Sequence, residues 1–451
     1  MTGSATRFMV RLLALFLALQ SAPASAATLD LDFWYSSSGA PGATLELLVA
    51  RFNAAQSGYR IRAQRRELEG LPDAPPAATA ATAATAVAGP RPHLVQLDQV
   101  RTGMAMTHPG LLKPLWQLTA SAGVFSERTR LLPAISGTYL DKAGRLLAWP
   151  LAAATPVLFF NRSLLRRAGV EDAAVPRTWY EMPKLLGALN EQGLECPYTS
   201  AWPAWVHLEN LGAWHNQAFA TRGNGLSGGP GGDGAKLSFN TQLMIRHTAM
   251  LASWAKGRYF VYAGPGDEAE RRFARGECAL LTTASASHGA LQEALGAELG
   301  VAPLPYYDDF PDAPQNTLGA GSALWAVAGK SVAEYRGVAA FISFLSGAVV
   351  QAEWHQKTGF LPLSREAYEI TRQSGFYRLH PGQEAAVVQL LAKAPKEYSR
   401  GIRVPHFAQV RGIIDEELEA ALSLKKTPKD ALDDAVERGN RLLRSPAGAG
   451  R

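Results

Sequence analysis

Cysteine is nearly absent, with only Cys196 and Cys278 in 451 residues. So few thiols exclude a disulfide-framework scaffold. No Cys-x-x-Cys occurs, and none of the nine histidines has a partner at helical ligand spacing, so no zinc-ligand pattern is present. Charge is also thin, at 19% of residues, and no long run of one sign occurs. The formal balance is +6, and Arg7 and Arg11 supply two of those charges from a segment that reads as removable. What is left is spread along the chain and is no footprint for nucleic acid, which needs basic residues gathered on one face. Nowhere do apolar residues run for the roughly 18 that a membrane-spanning helix needs. What the chain does have is apolar material, at 47% of residues. That is enough for a sizeable core divided over two or three domains.

Residues 1–26 read as an export signal. Arg7 and Arg11 form its positive start, Leu12 to Leu19 its apolar centre, and Ala24-Ser25-Ala26 a small-x-small cleavage site. No cysteine lies near that site, so a lipid anchor is not expected. An oxidising compartment would allow Cys196 and Cys278 one disulfide; two buried thiols fit the sequence equally well.

Beyond the signal, Leu29, Leu31, Phe33 and Tyr35 alternate with other residues and predict a strand. Leu45, Leu48, Val49 and Phe52 fall at helical spacing, and extended segments are expected again at 59–65 and 94–97. Residues 74–92, rich in Ala, Thr and Pro, read as a surface loop or an alanine-rich helix. Pro156 to Phe160 predicts a buried strand followed by a short helix ending at Gly169. Thr178 and Glu181 have the spacing of a capping box. Residues 223–234 are glycine-rich loop, and Thr427-Pro428 opens a terminal helix. Alternating strands and helices argue for an α/β fold with parallel or mixed sheets.

Three catalytic motifs appear and fail on context. Gly223 to Gly228 spells a dinucleotide fingerprint, but no clear strand precedes it and no apolar helix follows. Gly225 to Gly229 matches a nucleophile elbow in the same loop. Gly329-Lys330-Ser331 ends like a P-loop, yet Leu324 stands where its first glycine is required. The aromatics carry more. Trp202 and Trp205 flank Pro203 on an apparent loop, where indole faces suit polyol C–H surfaces or a quaternary ammonium, while Trp214 reads as core. Thr282 to Ser285 could end a strand with hydroxyls in a cleft, and Asn316 to Ser322 could offer backbone N–H groups to an anion.

These stretches, with Thr155 to Asn161, Gly276 to Ala279, Ala313 to Asn316, Glu353 to Gly359 and Asp415 to Glu419, resemble the extracellular solute-binding proteins of ATP-driven importers. The group includes the maltose-binding protein, and the likeness is greatest to members that take glycerol 3-phosphate. It covers nearly the whole mature chain and is weakest over residues 66–92. The resemblance implies a two-lobed α/β periplasmic binding protein of type II, with hinge strands between lobes and closure over a ligand. It places the lobes at 27–146 with 303–358 and at 147–302 with 359–451. It also implies no catalysis and no cofactor, a periplasmic monomer, a phosphorylated polyol as ligand and an ABC permease as partner.

Residue by residue, Ser285, Gly321 and Arg411 stand where the family contacts the glycerol phosphate, and Trp202 and Trp205 match tryptophans of the same cleft. An arginine fork can hold two phosphate oxygens; without a ligand, Arg411 could instead pair with Asp415 at i, i+4. Three positions depart. Ala154 replaces a serine, Phe360 replaces an aromatic hydroxyl, and Gln99, beside Asp98, replaces a glutamate. Glycerol 3-phosphate or a glycerophosphodiester such as glycerophosphocholine is therefore the expected ligand. A sugar binder, an exported phosphodiester enzyme and a ligand-free scaffold are the alternatives.

Overall fold

The computed structural model describes residues 28–66, 91–107, 110–122 and 131–444. The export signal and residues 74–90 of the Ala/Thr-rich stretch lie outside them.

Among the described residues, eleven strands form two sheets. The first has the order β2 (Tyr59–Arg65), β1 (Leu29–Tyr35), β3 (Leu94–Asp98), β11 (Ala320–Val327), β4 (Leu112–Lys113), with β5 (Trp149–Ala154) also on β11. The second runs β10 (Leu299–Pro303), β6 (Pro156–Asn161), β9 (Cys278–Ala284), β7 (Cys196–Ser200), β8 (Phe260–Val261). Parallel pairs β1–β2, β1–β3, β7–β9 and β7–β8 sit beside antiparallel ones, so both sheets are mixed.

Alternation built β1 as expected: Leu31, Phe33 and Tyr35 point into a core and their neighbours are half-exposed. That core takes the apolar stripe of α1 (Gly39–Ala55), including Leu45, Leu48 and Phe52, and Phe341 from α4 (Val332–Ser346). Helix α4 starts on a full capping box between Ser331 and Glu334, and α5 (Ala348–Thr358) follows it after Gly347. The second core gathers Leu158, Phe160, Trp179, Tyr198 and Leu280. Against it pack α2 (Gln242–Lys256), α6 (Phe407–Leu422) and α7 (Pro428–Arg444); α3 (Glu268–Ala274) lies on β9. Helix α7 begins as the sequence predicts, with the Thr427 hydroxyl accepting from the Asp430 N–H. Thr178 and Glu181 also make their reciprocal bonds, one turn ahead of the helix Met182–Glu191. Cys196 and Cys278 face each other across β7 and β9 and are joined as a disulfide.

The chain changes sheet at Thr155, which separates β5 from β6, and again between Leu318 and β11. The sequence-derived boundaries at 146/147 and 302/303 fall ahead of both crossings. Residues 149–161 form one nearly unbroken buried run, and Leu304, Tyr307 and Leu318 still pack in the second core. The two crossings are tied together: Thr155 and Thr317 share a short hydroxyl contact, and the Gln389 amide donates to both hydroxyls and to the Pro156 carbonyl. Among the described residues no single helix is long and apolar enough to cross a membrane.

Candidate functional site

Four of the sequence-predicted positions converge where the chain crosses between sheets. Ala154 pairs with Ala320 and Gly321 with Ala153, next to an irregularity between Ser322 and Ala323. A Cβ on Gly321 would lie 2.1 Å from the Ala152 carbonyl oxygen, so only glycine permits this approach of the two strands. Ser285 follows β9; its N–H donates to the Thr155 carbonyl at 2.8 Å and its hydroxyl accepts from the Thr155 N–H at 3.2 Å. Phe360 closes the group: the Leu361 N–H donates to the Ala153 carbonyl, and the Phe360 ring stacks parallel to Trp354. Ser285 also rims a recess lined by Val157, Phe159, His288, His355 and Gln383.

The tryptophans separate in role. Trp202 adopts a left-handed backbone (φ 52°) and leaves 43% of its surface exposed. Exposing so large a ring on a strained residue marks a displayed surface. Its indole reaches Glu270 on α3, which also accepts from the hydroxyls of Thr283 and Ser287. Burial raises the Glu270 pKa, and those three donors work against the rise. Trp205 is not on a loop. It opens a π-helix, Trp205–Asn210, and is only 6% exposed. Trp214 is core, its N–H donating to the Leu304 carbonyl.

That π-helix carries the partner of Arg411. Glu209, 3% exposed, accepts from Arg411 Nε and Nη2 at 2.7 Å each. In place of the alternative pairing of Arg411 with Asp415, the guanidinium makes a two-pronged bond to a residue 202 positions away. Burial works to lower the Arg411 pKa, and Glu209, Asp415 and Asp98 together more than reverse it. The same crowding costs the acids. Desolvation pushes Asp415 up to about 7, and desolvation also raises Asp98 at the end of β3. Gln99 turns away from this group: it is buried and donates to the Thr138 hydroxyl at 3.2 Å. The carboxylate facing Arg411 from the first sheet is Asp98.

Other predicted hydroxyls and amides are structural. Thr282 is buried between Tyr198 and Ser200. Asn316 donates to the Leu390 and Lys393 carbonyls, and the Leu318 N–H is taken by Asn210. The 223–228 motif sits in a kinked turn, with Asn224 accepting from the N–H groups of Phe219 and Ala220.

Behind the π-helix lies a buried chain that the scattered histidines did not disclose. Tyr198, His207, His247 and Tyr307 are linked at 3.3, 2.9 and 2.9 Å. Burial drops the His207 pKa to about 3 and that of His247 well below normal, so both rings are neutral. A second connection spans the cores. Arg403, 3% exposed, donates from Nη2 to the carbonyls of Thr138 and Leu140. Burial lowers its pKa to about 10. The strand-like segment around it passes so close to Gly103 and Gly137 that a Cβ at either would meet a carbonyl oxygen at 2.1 or 2.2 Å. Among the described residues no group of three His, Cys, Asp or Glu side chains could hold a metal ion.

This arrangement offers an aromatic face, hydroxyl and backbone donors at a crossing between sheets, and one arginine ringed by carboxylates. Chemically, such groups suit a small polar solute. Residues 48–377 match the family model described as bacterial extracellular solute-binding protein. An Escherichia coli relative, the sn-glycerol-3-phosphate-binding periplasmic protein UgpB, is 38% identical over 442 residues, covering 97% of both chains. The protein of the same name from Yersinia pestis is 36% identical over 428 residues, covering 94% of both. Among solved structures, UgpB from Mycobacterium tuberculosis in complex with glycerophosphocholine superposes with a TM-score of 0.72 at 21% identity, over 92% of this chain and 98% of that one. The cyclic alpha-maltosyl-1,6-maltose binding protein of Arthrobacter globiformis gives 0.72 at 20% identity, over 92% and 99%. These likenesses show the fold to be that of a two-lobed, type II periplasmic binding protein.

Proposed function

The chain belongs to the bacterial extracellular solute-binding protein family, and from that premise we propose that it captures sn-glycerol 3-phosphate or a glycerophosphodiester, glycerophosphocholine included, in the periplasm. It then delivers the ligand to the membrane permease of an ATP-driven importer. The observation that carries this reading is the 38% identity over nearly the full length to sn-glycerol-3-phosphate-binding proteins. The cleft supports it, with Arg411, Ser285 and Gly321 as phosphate and glycerol contacts and Trp202 as an aromatic wall. Residues 1–26, with Arg7, Arg11 and the Ala24-Ser25-Ala26 site, serve as the cleavable export signal. The protein acts as a monomer and turns nothing over.

The expected closure brings the two cores together over the solute, moving about the crossings at Thr155 and ahead of Ala320. Titration calorimetry of the mature chain tests the reading, with glycerol 3-phosphate, glycerophosphocholine and a series of maltose-type sugars in turn. Binding of either phosphate, abolished or weakened by Arg411→Ala, supports it. Heat from a sugar with silence from both phosphates moves the ligand class to saccharides.

A further inference from the structure

The arginine that the phosphate reading relies on is already committed. Glu209 occupies the Nε and Nη2 face of Arg411, the face that would hold two oxygens of a phosphate side by side. Only Nη1 has no protein hydrogen bond among the described residues, so a ligand oxygen meets the guanidinium at one edge. Glu209 is buried on the π-helix, and Arg411 is its one hydrogen-bond partner among the described residues, so the pair cancels as a unit.

The surroundings do not restore positive charge. Asp415 faces Arg411 from the same helix, and Asp98 faces it from the end of β3, with Arg101 on the following turn beside Asp98. Tyr262, after β8, faces Asp415 and Glu419. Two guanidinium groups, Arg411 and Arg101, thus stand among three carboxylates, Glu209, Asp415 and Asp98, and the balance is negative when the acids are ionised. A ligand with two negative charges is repelled by this cluster more than a ligand with one.

We propose that Glu209 makes the cleft selective for monoanionic phosphodiesters over dianionic phosphomonoesters, by spending one face of Arg411 and leaving the surrounding charge negative. This rests on the phosphate-ligand reading and narrows it to diesters of glycerol. A monoester gains entry by carrying a proton in with it, on its own phosphate or on an acid of the cluster.

The test compares sn-glycerol 3-phosphate with its methyl phosphodiester, two ligands alike but for one charge and one methyl group. Calorimetry at about pH 8 is expected to show the diester bound roughly ten-fold tighter. The gap should narrow at about pH 6, with proton uptake seen for the monoester as a buffer-dependent enthalpy. Glu209→Gln should close the gap at the higher pH, whereas Glu209→Asp, which keeps the charge, should preserve it. Equal affinities of the wild type for both ligands at the higher pH would overturn the inference and leave the phosphate reading intact. An unchanged ratio in a folded Glu209→Gln protein would do the same. If Glu209→Gln does not fold, the wild-type pH series decides alone. Silence from both ligands would overturn the phosphate reading together with the inference.

Discussion

Arg403, between Ile402 and Val404 of the second core, donates to the backbone carbonyl of Thr138, the neighbour of Tyr139 in the first. The same Nη2 donates to the Leu140 carbonyl at 2.7 Å, while Nε has no partner. Among the described residues no carboxylate forms an ion pair with this guanidinium; carbonyl oxygens across the junction accept its hydrogen bonds, and Asp141 attracts it from farther off. The contact can exist only while the cores are together.

Arg403→Met should therefore favour separation of the cores. Charge-assisted bonds of this kind contribute about 1.5–3 kcal/mol each. The unliganded variant should show a larger radius of gyration by X-ray scattering, and solute affinity should fall by roughly ten-fold. Identical scattering curves and affinities for variant and wild type would refute the latch.

Asp415 makes stability fall with rising pH. Its pKa is raised to about 7 by desolvation, above the 3.8 of an unperturbed aspartate. The folded state therefore holds a proton that the unfolded chain releases first, and the advantage is lost as pH climbs through 7. Asp415→Asn should raise the melting temperature more at about pH 8 than at about pH 5. An equal gain at both would mean that Asp415 ionises normally.

His207 and His247 act in the opposite sense. Their folded pKa values lie below the usual 6.5, His207 at about 3, so stability is complete above 6.5 and lost as pH falls. His207→Gln should cost about 1–3 kcal/mol at neutral pH through broken buried hydrogen bonds. It should also flatten the acid side of the stability profile. Urea melts at several pH values read both effects, and a parallel downward shift at every pH would exclude the titration account.

The disulfide closes a loop of 82 residues in sequence. On the chain-entropy picture, replacing both cysteines by alanine should cost about 4 kcal/mol. Denaturant titration of the double variant checks this, and a loss close to zero would show that β7 and β9 are held by their pairing alone.

The strands at 29–35, 59–65 and 156–161 were legible because their apolar patterns are strong and local. The break at Thr155 was not, since Trp149 to Asn161 is buried on both sides of it and only the turn of one threonine divides two sheets. Within the site, Ser285, Gly321, Phe360 and Ala154 were legible as a set through resemblance, and they do meet at the crossing. Glu209 was missed. Its neighbours read as an ordinary apolar stretch, and its meaning comes from Arg411, a partner supplied by a distant helix. The resemblance places Gln99 in the cleft; in the structure its amide donates to Thr138, while its neighbour Asp98, at the end of β3, is the acid that acts on Arg411. Trp205 was read as loop because a π-helix has no simple period to find in sequence.

The first sheet has β11 between β3 and both β4 and β5, yet β11 is the last strand of either sheet to be made. A ribosome must have read to residue 327 before the earlier strands acquire their central partner. Until then β3 can pair only with β1, on one side, and β4 and β5 lack the strand on which both of them pair. A polypeptide threaded across a membrane benefits from that delay, because most of its length stays translocatable while synthesis proceeds.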